Sequence, residues 1–283
     1  MSSGPAGQVT RSFNSPHLET TSRTSLRRFL RTDDGVTIDA AYDPGTGPSS
    51  DLAFIVAHGF TGDLDRPHVR RAAGVLGRNA AVVTFSFRGH GRSGGRSTVG
   101  DREVHDLAAA VAWARELGHT RIATVGFSMG GSVVLRHAAL HSVAGQEHEG
   151  RTDAHTDVVV SVSAPARWYY RGTAPMRRLH WLVTRPVGRA VGRYGLRTRI
   201  HHRDWDPVPA SPVESVPLIA PTPLLIVHGD RDGYFPVDHP RMLAAASGDH
   251  AELWLEHGMG HAENAADDEL LGRIGDWAAA HAG

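Results

Sequence analysis

Four apolar runs, Leu52–Ala57, Ala81–Phe87, Arg121–Gly126 and Val158–Val162, separated by segments of helical period, constrain the fold of this chain most. Continuous stretches of Val, Ile, Ala and Phe suit strands buried on both faces, and such strands belong to parallel sheets covered by helices. The segments between them, Arg66–Arg78, Arg102–Leu117 and Met129–His141, place apolar residues at helical spacing, with Leu107, Val111 and Ala114 on one face. Upstream, Thr32-Asp33-Asp34-Gly35 is a turn signal between Ser25–Arg31 and Gly35–Ala41, which predicts an antiparallel hairpin. Downstream, strands resume at Pro223–His228 and Ala251–Leu255, with a helix before the second and another over Asp267–His281. From Ser163 to about Pro217 no strand is legible, and aromatics, arginines and prolines dominate. The expected class is therefore α/β, a mostly parallel eight-stranded sheet flanked by helices. A small helical cap, approximately 164–217, is expected after the sixth strand. Gly145–Thr156 reads as a polar loop, and Met1–Thr24, rich in Ser, Thr, Gly and Pro, as a disordered tail preceding a domain over 25–283.

Composition removes several chemistries. The 283 residues include no cysteine, so disulfides, thiolate nucleophiles and Cys-ligated metals are excluded. Lysine is also absent, all thirty basic residues being arginine, which excludes a P-loop lysine, a Schiff base and a Ser–Lys dyad. Net charge is zero, which argues against a nucleic-acid binder driven by overall basicity. The first residues lack the apolar core of a secretory signal, and no run reaches the ~18 apolar residues of a membrane span. A cytoplasmic protein is the expectation.

The chemistry is concentrated in Gly126-Phe127-Ser128-Met129-Gly130, which follows the Ile122–Val125 run and opens a helix at Gly131. A sharp strand-to-helix turn exposes its central serine, and flanking glycines are needed where a larger side chain would clash. At that position the hydroxyl also sits at a helix N-terminus, which favours developing negative charge. A serine hydroxyl needs a base, and the base an orienting acid. Candidate acids Asp230, Asp232 and Asp238 follow the Pro223–His228 strand, and His261 follows the last strand in Gly258-Met259-Gly260-His261. The chain order Ser128, Asp232, His261 and the shared strand edge match an open α/β site. Gly89–Gly94 also fits G-x-G-x-x-G, but the strand after it ends in the serine turn and not in the acid of a dinucleotide site.

Together with His58-Gly59-Phe60-Thr61-Gly62 and Phe87-Arg88-Gly89-His90-Gly91-Arg92-Ser93, these motifs resemble the α/β-hydrolase superfamily, specifically its cap-bearing serine esterase and lipase-like branch. The resemblance runs from about Ser25 to the C-terminus and is weak over the cap. It implies Ser128, Asp232 and His261 as catalytic residues, with Asp232 as the acid and Asp230 as a turn former. It also implies an oxyanion hole made by the N–H groups of Phe60 and Met129. His58 and His90 are expected to be structural. No cofactor and no metal are implied, and serine at 128 argues against the aspartate chemistry of dehalogenases and epoxide hydrolases. The expected activity is hydrolysis of a carboxylic ester through an acyl-enzyme. Thioesterase, acyltransferase, amide or peptide hydrolase and a non-catalytic binding protein are the alternatives.

The substrate is expected to be a small acyl compound. Between Val158 and Arg203 lie ten arginines and no acid. On one continuous helix Arg178, Arg185, Arg189 and Arg193 would form a stripe opposite Leu179, Val183, Val187, Val191 and Tyr194, but Pro186, Gly188 and Gly192 weaken such a helix. Trp168, Tyr169, Tyr170, Trp181 and Trp205 add apolar surface. A cationic lid for an anionic amphiphile, or for peripheral membrane contact, is one reading. An ordinary amphipathic lid with solvated or paired arginines is preferred.

Overall fold

The fold is known from a computed structural model that describes residues 1, 24–142 and 152–283. Residues 2–23 of the expected tail and 143–151 of the polar loop lie outside the described residues. In chain order the strands are β1 (Leu26–Arg31), β2 (Thr37–Asp43), β3 (Ser49–Ala57), β4 (Ala80–Phe85), β5 (Arg121–Phe127), β6 (Val158–Val162), β7 (Leu224–Gly229) and β8 (Ala251–Glu256). The helices are α1 (Pro67–Leu76), α2 (Glu103–Glu116), α3 (Met129–Leu140), α4 (Ala174–Thr184), α5 (Pro186–Gly195), α6 (Pro212–Ser215), α7 (Asp238–Ala246), α8 (Ala262–Ala265) and α9 (Asp268–His281).

One sheet in the order β1-β2-β4-β3-β5-β6-β7-β8 contains all eight strands. The β1–β2 and β2–β4 pairings are antiparallel and the other five parallel. Alternate residues of β3 enter different cores. Ala53, Ile55 and Ala57 join Leu107, Val111 and Val133 on one face, while Leu52, Phe54 and Val56 join Val69, Leu76 and Ile274 on the other. This two-sided burial is what makes the central strands read as continuous apolar runs. β8 lies at the edge and is only partly buried. Phe87, read as strand, instead lies beyond β4, its N–H taken by the His58 ring.

The register aligns the carboxyl ends of the strands: Ala57 pairs with Gly126, Phe127 with Val162, and Gly229 with Glu256. Loops after β3, β5, β7 and β8 therefore emerge at one edge. The chain between β6 and β7 carries α4 and α5 over that edge. They are two helices and not one. Arg185, in extended geometry, ends the first and begins the second, and Pro186 takes the position where a missing N–H costs nothing. The expected stripe is therefore broken, and Val187, Val191 and Tyr194 point to solvent. Among the described residues no helix is long and apolar enough to cross a membrane.

Candidate active site

Ser128 occupies the turn between β5 and α3 with φ 52° and ψ −112°, a left-handed conformation that side chains other than glycine rarely adopt. The turn is tight because β5, α3 and the β3 loop meet there. A methyl group on Gly126 would strike the Gly130 backbone, and one on Gly130 would strike the Ala57 carbonyl. The Ser128 N–H donates to Val162 O at 2.8 Å, which fixes the turn to β6.

The base and acid arrive from the two loops that follow β7 and β8. His261 Nε2 lies 2.9 Å from Ser128 Oγ, and its Nδ1 lies 2.7 Å from Asp232 Oδ2. A carboxylate only accepts, so Nδ1 carries the proton and Nε2 is free to accept the serine proton. Asp232 has a fully buried side chain, and its Oδ1 accepts the N–H groups of Tyr234 and Phe235 at 2.7 and 3.0 Å. Burial pushes its carboxyl up, but these hydrogen bonds and the one from His261 outweigh burial and hold it below its usual value. Asp230 instead accepts from Gly258 N and His257, each at 2.7 Å, and shapes the β8 turn, while Asp238 pairs with Arg167 at 3.2 Å.

The His58–Gly62 loop faces Ser128 and is held by two neutral histidines. His58 Nδ1 donates to Gly59 O at 2.7 Å while its Nε2 accepts Phe87 N–H at 3.0 Å. His90 Nε2 accepts Thr61 N–H at 3.3 Å, and its Nδ1 donates to Arg88 O at 3.0 Å. Burial, then repulsion from His90, lowers His58 to about 3, and burial lowers His90 to about 4. Because a trans peptide is planar, anchoring Gly59 O turns the Phe60 N–H the opposite way. The N–H groups of Phe60 and Met129 make no hydrogen bond among the described residues.

Three contributors carried no sequence signal of their own. Tyr234 stacks on the His261 ring at 4.2 Å and 25°. Glu103, fully buried at the start of α2, gathers the N–H groups of Thr98, Val99 and Gly100 at 2.8, 3.2 and 2.9 Å. Glu263, two residues beyond His261, accepts Gly59 N–H at 3.0 Å. A buried glutamate differs from a surface one only in three dimensions, so pattern alone does not separate them.

Above Ser128 opens a cleft of about 1240 Å³, walled by Met129, Met176, Leu179, Leu182, Trp205 and Tyr234 among others. Trp205 packs edge-on to Trp168 at 5.1 Å and donates its indole N–H to Thr98 O at 2.7 Å, tying the segment after α5 to the core. Arg167, Arg171, Arg178 and Arg203 also line the cleft, against the acids Asp204 and Glu263. Among the described residues no cluster of three or more His, Cys, Asp or Glu could hold a metal ion.

A family model described as the alpha/beta hydrolase fold matches residues 53–149. A monoacylglycerol lipase of Mycolicibacterium smegmatis is 28% identical over 228 residues, covering 71% of this chain and 77% of that one. Among solved structures, an esterase of Pyrococcus furiosus superposes with a TM-score of 0.68 at 23% identity, over 93% of this chain and 94% of that one. The α/β hydrolase GrgF of a Penicillium species reaches 0.67 at 18%, over 92% and 99%. The chain has the α/β-hydrolase fold, with esterase- and lipase-like relatives.

Proposed function

We propose that this α/β-hydrolase is a serine esterase that cleaves a carboxylic ester through an acyl-enzyme on Ser128. The observation that carries this reading is the unbroken hydrogen-bond chain Asp232–His261–Ser128, at 2.7 and 2.9 Å, on the floor of the cleft. Ser128 Oγ attacks the acyl carbon as its proton passes to His261 Nε2, and the carbonyl electron pair moves onto oxygen. The Phe60 and Met129 N–H groups, without hydrogen bonds among the described residues, hold that oxyanion; each such donor is worth about 10²–10³ in rate. The intermediate collapses, the ester C–O bond breaks, and His261 returns the proton to the leaving alcohol. Water, deprotonated by the same nitrogen, then repeats the sequence and releases the acid. Asp232, held ionised by its hydrogen bonds, keeps the imidazole in the tautomer this requires and stabilises the imidazolium.

The segment 164–217 acts in this reading as the cap over the cleft. A volume of about 1240 Å³ exceeds the ~300–1,000 Å³ of most small-molecule sites, which favours an acyl group larger than acetyl. The relative named as a monoacylglycerol lipase supports including a monoacylglycerol among the substrates tested. The experiment is a panel of esters, thioesters and amides of increasing acyl length, assayed at low and high salt. Esters of medium or long acyl chains should turn over fastest. Faster turnover of amides than of matched esters would overturn the esterase assignment. If the cleft arginines select anionic substrates, the ratio of anionic to neutral ester activity should fall as salt rises. A ratio indifferent to salt removes that part of the reading.

A further inference from the structure

We propose that Glu263 is a positioning residue for this reaction, fixing the loop that carries the Phe60 N–H and locking it to the loop that carries His261. The inference rests on the esterase reading. Glu263 is only 4% exposed, yet it is among the residues that line the active-site cleft. Burying a carboxylate is costly unless it is well partnered, so its location calls for a reason. Anchoring α8 is not that reason. The Glu263 main-chain carbonyl already takes Arg71 at 2.9 Å, Ala266 O takes the same guanidinium at 2.6 Å, and Ala262 N–H donates to Ser163 Oγ at 3.1 Å. Among the described residues, the hydrogen-bond partner of the side chain is Gly59.

Gly59 is gripped from both sides. Its carbonyl takes His58 Nδ1 at 2.7 Å and Gly62 N–H at 3.0 Å, and its N–H goes to Glu263 Oε1 at 3.0 Å. With both flanking peptide planes tethered, both backbone torsions of Gly59 are restrained, and the Phe60 N–H that follows is aimed. The contact is close. A methyl group on Gly59 would lie 3.1 and 3.3 Å from the two Glu263 oxygens and 3.5 Å from Ser128 Cβ. Glu263 thus touches the turn beside the nucleophile, while the chain joins it to His261 through Ala262 alone. Base and oxyanion donor are held in one frame. Without the side chain, the Gly59 N–H loses its acceptor, the glycine samples other torsions, and the donor loses the alignment on which its contribution depends.

Steady-state kinetics and inhibition by a trifluoromethyl ketone, which forms a hemiketal oxyanion on a nucleophilic serine, test this in Glu263→Ala and Glu263→Gln. The alanine variant should lose about tenfold or more in kcat with KM within about twofold, as expected for an interaction made in the transition state. Its ketone Ki should rise by the factor that kcat/KM falls. Glutamine keeps an acceptor oxygen for Gly59 and should recover most of both losses. Should the alanine protein fail to fold, Glu263→Asp, one methylene too short to reach Gly59, takes its place. Wild-type kcat and Ki in the alanine or aspartate variant would overturn the proposal. So would equal impairment of the glutamine and alanine variants. Failure of a fluorophosphonate to label wild type would overturn the esterase reading as well, whereas a labelled wild type with an unaffected alanine variant overturns the Glu263 role alone.

Discussion

At Ser128 the chain stores strain where the chemistry is proposed. A non-glycine residue at φ 52° and ψ −112° costs on the order of 1–3 kcal/mol, and it persists here because β5, β6 and α3 fix the backbone around it. Ser128→Ala keeps the strain and loses the hydroxyl, whereas Ser128→Gly loses both. The glycine variant should therefore be more stable than the alanine variant by about 1 kcal/mol in urea denaturation, although glycine also has the more flexible unfolded chain. An alanine variant as stable as the glycine variant would show that this turn is not strained. The strain was foreseeable because G-x-S-x-G prescribes its turn. His261 was legible for a related reason, as a histidine in a glycine-rich loop after the final strand. Tyr234 and Glu263 were not, since nothing in Asp232-Gly233-Tyr234 or His261-Ala262-Glu263 signals a ring stack or a bond to Gly59, 204 positions away.

Among the elements, the strands were readable in proportion to their burial. β6, buried at every position, was bounded correctly at Val158–Val162, whereas β3 begins at Ser49, three residues before its apolar run. The segment between β6 and β7 was only partly legible. Its apolar residues fall at helical spacing, but Pro186, which weakens a continuous helix already in the sequence, divides it, and three of the five expected apolar residues, Val187, Val191 and Tyr194, are turned to solvent. What joins the two pieces is Gly188, buried against α4. A methyl group there would lie 2.5 Å from Trp181 O and 2.7 Å from Leu182 Cα, both main-chain atoms that cannot move alone. Gly188→Ala should push α5 from α4 at a cost of about 1–3 kcal/mol. Because Leu179 and Leu182 of α4 wall the cleft, KM for long-chain esters should rise several-fold while fluorophosphonate labelling keeps its wild-type rate. Unchanged KM and melting temperature would place α5 outside the cleft's support.

Across the whole molecule, neutral buried histidines set an acid limit on stability. Burial, first among the causes, lowers His58 to about 3 and His90 and His239 to about 4, and each accepts a main-chain N–H on its bare ring nitrogen. In the unfolded chain these rings titrate near 6.5, so between about pH 4 and 6.5 the unfolded state binds protons that the native state does not. Stability therefore rises with pH through this window. Unfolding at pH 5 should take up about three protons from these residues alone, seen as a steep fall of melting temperature from pH 7 to 5. A flat profile would mean that these rings are already charged in the fold. Two of the three, His58 and His90, hold the His58–Gly62 loop beside Ser128, so the site rests on the same neutral rings as the fold.

The most direct test of the central claim is intact-mass and peptide analysis after reaction with a fluorophosphonate. One adduct should form on wild type and map to Ser128. None should form on folded Ser128→Ala, and labelling of Asp232→Asn should be slower by orders of magnitude because the imidazole loses its tautomer. A folded wild type that stays unmodified, or an adduct on another residue, would contradict the account.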